Sequence, residues 1–180
     1  CDLENLDEKQ GNEINNLILE SYGHLDAVIN NASIIGKMSS LSDYDLKTWN
    51  SVLNVNLTAS FLLTKSLLPA LSGSKIPRII FTSSGVALTG RAFWGAYAIS
   101  KAATKSMAEI FKEELEGTSN IKVFNFDPGA TRTSMRAFAY PAEDPSKLKE
   151  PSELLKCYEW LLSDESKDAN DLYFTFNSFN

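Results

Sequence analysis

Cysteine and histidine are almost missing from this chain. The two cysteines, Cys1 and Cys157, lie far apart with no CxxC motif, and His24 is the single histidine. That inventory argues against a disulfide framework and against a zinc site, and no other metal site is expected. Basic residues are also short: 17 Lys and Arg stand against 23 Asp and Glu, a formal net charge of -6 at pH 7 and a pI of about 4.9. Nucleic-acid binders and proteins drawn to anionic membranes present a basic face, so this sign argues against both partners. No apolar run approaches the ~20 residues of a membrane span. No signal-peptide pattern is visible, and the expected setting is the cytoplasm. The sequon matches at 31–33 and 56–58 are accordingly read as chance.

What is there suits one soluble domain. The chain has 180 residues, 43% hydrophobic and 22% charged, enough for a sizeable core. Residues 4–22 place Leu6, Ile14, Leu17 and Ile18 at helical spacing, and Gly23 stops the helix. Residues 25–30, 78–83 and 121–126 are short apolar runs with β-branched members, the pattern of buried strands. Between them lie long helical patterns over 47–72 and 95–117. Residues 34–45 and 130–150 read as irregular. Pro151 fits a helix start, with Leu154, Leu155, Tyr158 and Leu161 on one face. Residues 172–175 suit a last short strand. Strands alternating with helices predict an α/β fold with a parallel sheet. Ligands of such sheets bind outside the carboxyl ends of the strands. That rule points to 30–33, 83–85 and 127–131.

The residues there can do chemistry. Tyr97 and Lys101 are four apart on a predicted helix and so share a face. A cation beside a phenol favours the phenolate, which is expected to lower the Tyr97 pKa and make it an acid/base near neutrality. Thr82-Ser83-Ser84-Gly85 ends a strand shortly before, where a hydroxyl can donate to a substrate oxygen facing the tyrosine. Asn54 and Asn56 fall in one turn of an otherwise apolar helix, although asparagine is a poor helix former. Asn31-Ala32-Ser33 follows the first strand, and Pro128-Gly129-Ala130-Thr131 follows the third. Each feature also has a plain structural explanation as a solvated helix face or a strand-end turn.

Together and in order, these landmarks resemble the short-chain dehydrogenase/reductase family. Asp2-Leu3 resembles the aspartate segment that contacts adenine, and Asn31-Ala32-Ser33 resembles the N-A-G motif. Asn56, Ser84, Tyr97 and Lys101 resemble the Asn-Ser-Tyr-Lys tetrad, and Pro128-Gly129 the P-G motif before a nicotinamide contact, here Thr131. Gly90-Arg91-Ala92, Trp94-Gly95-Ala96-Tyr97, Thr131-Arg132-Thr133, Tyr140-Pro141 and Asp144-Pro145 resemble the bacterial YciK-type branch, whose substrate is uncertain.

The resemblance implies a Rossmann-like doubly wound parallel sheet, one partial domain over 1–180, and a substrate lid over 130–160. It implies NADP or NAD as cofactor, with NADP preferred, held by Asp2, Leu3, Asn31, Ala32, Tyr97, Lys101, Pro128, Gly129 and Thr131. Tyr97 would exchange a proton with a carbonyl or alcohol oxygen, Lys101 would lower the Tyr97 pKa and hold the nicotinamide ribose, Ser84 would polarise the carbonyl, and Asn56 would hold a water. The substrate would be a small, apolar carbonyl or alcohol compound met by Met135, Phe138, Tyr140 and Tyr158. A homodimer or homotetramer is expected through the two long helices.

Two departures stand out. Ser33 replaces the glycine of N-A-G, and the family's G-x-x-x-G-x-G turn is absent, the 9 glycines being scattered. About sixty residues carrying the first strands are expected to precede Cys1 in a full protein, judged from ~30 residues per βαβ unit, while the C-terminus is expected to be a natural end. Without those strands an unpaired sheet edge is expected to leave the isolated chain poorly stable. Two alternatives stay open: a truncated, inactive binding or vestigial protein, and an epimerase or dehydratase acting on nucleotide sugars.

Overall fold

Four parallel strands form the sheet, in the spatial order β1-β2-β3-β4: β1 (Ala27–Asn30), β2 (Arg78–Thr82), β3 (Lys122–Asp127) and β4 (Tyr173–Thr175). The structure is a computed structural model that describes residues 1–179. The helices are α1 (Glu8–Tyr22), α2 (Leu46–Leu53), α3 (Ala59–Leu71), α4 (Gly95–Leu115), α5 (Ser134–Ala139) and α6 (Leu155–Leu162). Alternate strand residues point to opposite faces. Ile79, Phe81 and Val123 meet Leu71 of α3 and Ala108 and Phe111 of α4 on one face. Ile80, Phe124 and Phe126 meet Cys157 and Leu161 of α6 on the other. Helices on both faces of a parallel sheet make the fold doubly wound, as expected. Among the described residues β1 pairs only with β2, so its other edge is open, and Ile29 of this strand is 41% exposed.

Local chemistry sets the element ends. Asp7 and Gln10 form a reciprocal capping box that starts α1. Gly23 ends it in the left-handed region, with φ 80 and its N–H on the Leu19 carbonyl. The face of α1 that packs is centred on Gly11 and Asn15, whose Oδ1 accepts the Ala70 N–H; Leu17, expected inward, is exposed. The predicted 47–72 helix is continuous but changes pitch. Residues Asn54–Thr58 form a π turn between α2 and α3, with the Ala59 N–H on the Asn54 carbonyl. Two polar asparagines in an apolar helix mark this irregularity, and π turns recur at functional sites.

Two C-terminal expectations change. The stretch 130–150 holds a short helix, α5, capped by the Thr133 hydroxyl accepting from the Arg136 N–H at 3.1 Å. Residues Pro151–Leu154 form a 3-10 turn before α6, and Leu155 is exposed rather than inward because Cys157 and Leu161 take the core-facing positions. Among the described residues no helix is long and apolar enough to cross a membrane.

Candidate active site

Parallel strands deliver the carboxyl ends of β1, β2 and β3 to one side of the sheet. The ends are tied together: the Thr82 hydroxyl donates to Asn31 Oδ1 at 3.0 Å, and the Ser83 N–H donates to the Phe126 carbonyl at 2.7 Å. After β3, the Asp127 carboxylate accepts the Gly129 N–H at 2.8 Å, and Gly129 takes φ 65, which turns the chain sharply away. Over these ends lies a cavity of about 880 Å³.

The cavity gathers most of the residues singled out from the sequence. Asn31, Ala32, Ser33, Ser84, Tyr97, Lys101, Pro128, Gly129 and Thr131 all line it. Asn56, 2% exposed, stands behind the wall. Its Oδ1 accepts the Ile34 N–H at 2.8 Å, and its Nδ2 donates to the Ile34 carbonyl at 2.9 Å and to Ser100 Oγ at 3.0 Å. Both amide hydrogens are therefore engaged. The side chain braces the loop after β1, and only the second lone pair of Oδ1 is left for a water. Asp2 and Leu3 lie outside the cavity lining. The Asp2 carboxylate caps the turn Leu3–Asn5, accepting from the Glu4 N–H and from Asn5 Nδ2.

The electrostatics of the Tyr97–Lys101 pair differ from the sequence expectation. Lys101 is 4% exposed; its ammonium donates to the Thr82 carbonyl at 2.7 Å and lies 5.7 Å from the centroid of the Tyr97 ring. Burial pulls its pKa down to about 8, against the opposing pull of Asp127. Tyr97 is pushed up, not down. Burial is the largest cause and the charge of Asp127 adds to it, while a hydrogen bond with the Ser84 hydroxyl works the other way. Proximity on a helix face is visible in sequence; the desolvation that outweighs it is not.

Several residues that the sequence reading did not assign belong to the site. Ser100, fully buried, accepts from Asn56 and donates to the Tyr97 carbonyl at 2.8 Å. Its signal was its place inside the Tyr97–Lys101 turn. Tyr173 of β4 donates to Asp127 Oδ2 at 3.1 Å, and burial, with that carboxylate, pushes its pKa up to about 12. Asp127 itself lines the cavity. No local pattern joins residues 46 positions apart. Of the apolar side chains expected in a lid, Met135 and Tyr140 line the cavity. Phe138 is 58% exposed, and Tyr158 packs on Phe126, their ring centroids 5.2 Å apart, so α6 belongs to the core instead. Among the described residues no group of three or more His, Cys, Asp or Glu is placed to hold a metal ion.

Comparison with known proteins agrees with this arrangement. A family profile described as short chain dehydrogenase matches residues 1–144. An uncharacterized oxidoreductase, YciK of Escherichia coli (strain K12), is 41% identical over 157 residues, which is 87% of this chain and 62% of the relative. The chain thus spans less than two thirds of that relative's length. Two solved structures superpose with 98% of this chain covered. One is a short chain dehydrogenase of Shigella flexneri 2a strain 301 complexed with NADP, with TM-score 0.94, 37% identity and 73% of its own chain covered. The other is a short chain dehydrogenase of Escherichia coli CFT073 complexed with NADPH, with TM-score 0.93, 39% identity and 72% covered. With the profile covering most of its length and the strand-end cavity in place, this chain belongs to the short-chain dehydrogenase family.

Proposed function

We propose that the chain is the catalytic part of an NADP(H)-dependent oxidoreductase that interconverts a small carbonyl compound and its alcohol. The observation that carries this reading is one cavity in which a buried tyrosine, a buried lysine and a serine hydroxyl meet at the strand ends. The cavity also suits a dinucleotide. Ser33 Oγ is buried on its wall with no hydrogen-bond partner among the described residues, and a buried hydroxyl without a partner costs about 1–3 kcal/mol. A polar ligand group there would satisfy it. Asn31, Ala32, Tyr97, Lys101, Pro128, Gly129 and Thr131 would hold the nicotinamide half, and Asp2 and Leu3 the adenine end. NADP(H) is favoured over NAD(H) because the similar Shigella and E. coli proteins carry NADP and NADPH.

When bound, the dinucleotide supplies the hydride that adds to the carbonyl carbon in reduction or takes it back in oxidation. The rest is done by this chain. Tyr97, pushed up by burial, holds its proton at neutral pH and gives it to the carbonyl oxygen as the C=O bond becomes C–O–H. The Ser84 hydroxyl, on the same cavity wall as Tyr97, orients that oxygen. The Lys101 ammonium stabilises the phenolate left behind. Asn56 and Ser100 hold the β1 loop and the Tyr97 turn in register. Residues 131–140 close the substrate side, and the apolar side chains Phe61, Ile99 and Ile110, exposed on α3 and α4, form the contact of a homo-oligomer.

The test is a nicotinamide-absorbance assay of the full protein with ketones, aldehydes and 3-oxoacyl thioesters, using NADPH and NADH in parallel. Turnover that is faster with NADPH supports the reading. No turnover of any compound, with the dinucleotide shown to be bound, rejects it.

A further inference from the structure

The proposed reaction uses Tyr97, Lys101 and Ser84 but leaves the segment Gly90–Trp94 without a task, although Arg91 and Trp94 both line the cavity. The cavity wall carries three cations. Lys101 is buried at the reacting centre. Arg136 is neutralised by Glu143 through two bonds of 2.6 Å. Arg91 has no carboxylate within ion-pairing distance among the described residues; its Nη1 donates to the Tyr140 hydroxyl at 2.8 Å. Tyr140 is itself fixed, with its ring under the Arg136 guanidinium at 3.7 Å. A continuous aromatic wall joins this cation to the acid/base. The Trp94 ring lies 5.7 Å from the Tyr97 ring and 5.9 Å from the Tyr140 ring, centroid to centroid. Ile35, Val86 and Met135 pack beside it.

The backbone of this segment is strained. Among the described residues Phe93 is the one non-glycine residue with positive φ, at 71, and its side chain is 59% exposed. Burial of Phe93 is therefore not what holds that conformation. Strain of this kind persists where the surroundings over-determine it, and it clusters at ligand clamps. Here it sits between the two cavity-lining residues Arg91 and Trp94.

We propose that the substrate is an oxo acid, or the corresponding hydroxy acid: its carbonyl oxygen faces Tyr97 and Ser84, its ring or chain lies on Trp94, and its carboxylate meets the Arg91 guanidinium. The proposal rests on the carbonyl-oxidoreductase reading and extends it by the charge of the substrate. A planar guanidinium matches a carboxylate with two parallel hydrogen bonds. A single uncompensated positive charge matches one negative charge, which favours a carboxylate over a dianionic phosphate monoester or a neutral ketone.

Two measurements on the full protein test it. The first is equilibrium binding of cyclohexanecarboxylate and of cyclohexanecarboxamide, neither of which can be reduced. The acid is expected to bind more tightly, and Arg91→Gln to weaken the acid about tenfold relative to the amide, as loss of a partly exposed charge-assisted pair implies. Arg91→Lys, which keeps the charge without the fork, is expected to recover part of the loss. The second is the ratio of kcat/KM for 4-oxocyclohexanecarboxylate to that for its amide, expected to fall in Arg91→Gln mainly through KM. An unchanged acid-to-amide selectivity in Arg91→Gln overturns the proposal. Selective acid binding without turnover of any carbonyl compound would leave this carboxylate subsite standing and reject the oxidoreductase reading instead.

Discussion

Replacing Lys101 with methionine separates the stability of this site from its activity. The lysine is 4% exposed, and its pKa falls from 10.5 to about 8, chiefly through burial. At neutral pH the folded protein carries that buried charge at a cost of about 3 kcal/mol relative to the unfolded chain. Lys101→Met removes the cost but also takes away the donor to the Thr82 carbonyl, a loss of about 1–2 kcal/mol. The variant is expected to be more stable than the parent by about 1–2 kcal/mol near pH 7. The pH dependence gives the sharper test. The unfolded lysine keeps its proton up to about pH 10.5 and the folded one up to about pH 8. Between those values the unfolded state binds more protons, so the parent gains stability as pH rises. By about pH 9.5 roughly 2 kcal/mol of the penalty is gone, and the advantage of the variant goes with it. Urea denaturation of both proteins without cofactor, at the two pH values, measures the difference directly. A variant less stable than the parent at neutral pH, or a difference that does not change with pH, refutes the reasoning. Turnover should collapse in the variant, the usual cost of relieving strain at an active site.

Other outcomes follow from the same geometry. Asn56→Ala removes three hydrogen bonds from Ile34 and Ser100 and should destabilise the protein by about 2–4 kcal/mol in denaturant titration; a loss under about 1 kcal/mol would show that water replaces the brace. Ser33→Ala removes a buried hydroxyl without a partner, so the cofactor-free protein should gain about 1 kcal/mol while NADPH binding weakens several-fold in a fluorescence titration; tighter binding would assign the hydroxyl no part in the cofactor site. Asp127→Asn removes a charge that, after burial, helps to push Tyr97 up and that opposes the burial of Lys101. Both groups should then titrate lower, and the alkaline limb of the pH–rate profile for reduction should move to lower pH. A limb that stays in place would remove Asp127 from the electrostatics of the pair.

The parts of this protein that follow local rules were legible in the sequence. Apolar runs with β-branched residues gave β1, β2 and β3 within a residue or two, and alternation with helices implied the parallel sheet whose carboxyl ends form the cavity. Tyr97 and Lys101 could be placed on one helix face by spacing alone. Contacts between distant residues were not readable. Asn56 reaches Ile34 across 22 positions, Tyr173 reaches Asp127 across 46, and Arg91 reaches Tyr140 across 49. The direction of the Tyr97 shift is hidden from the sequence for a related reason. A cation four residues away is visible in sequence, but the burial that outweighs it is a property of the packed cavity. The helix pattern around Tyr158 shows an apolar face without showing which surface that face meets; it meets Phe126.

The central claim is hydride transfer to a carbonyl carbon with Tyr97 as the proton donor. The most direct measurement follows the label from NADPH carrying deuterium at both nicotinamide C4 positions into the alcohol product of the full protein, by mass spectrometry, beside Tyr97→Phe. One deuterium on the carbinol carbon is expected, with a yield that falls about 10²-fold or more in the variant. An alcohol without deuterium, or a Tyr97→Phe protein as fast as its parent, would contradict it.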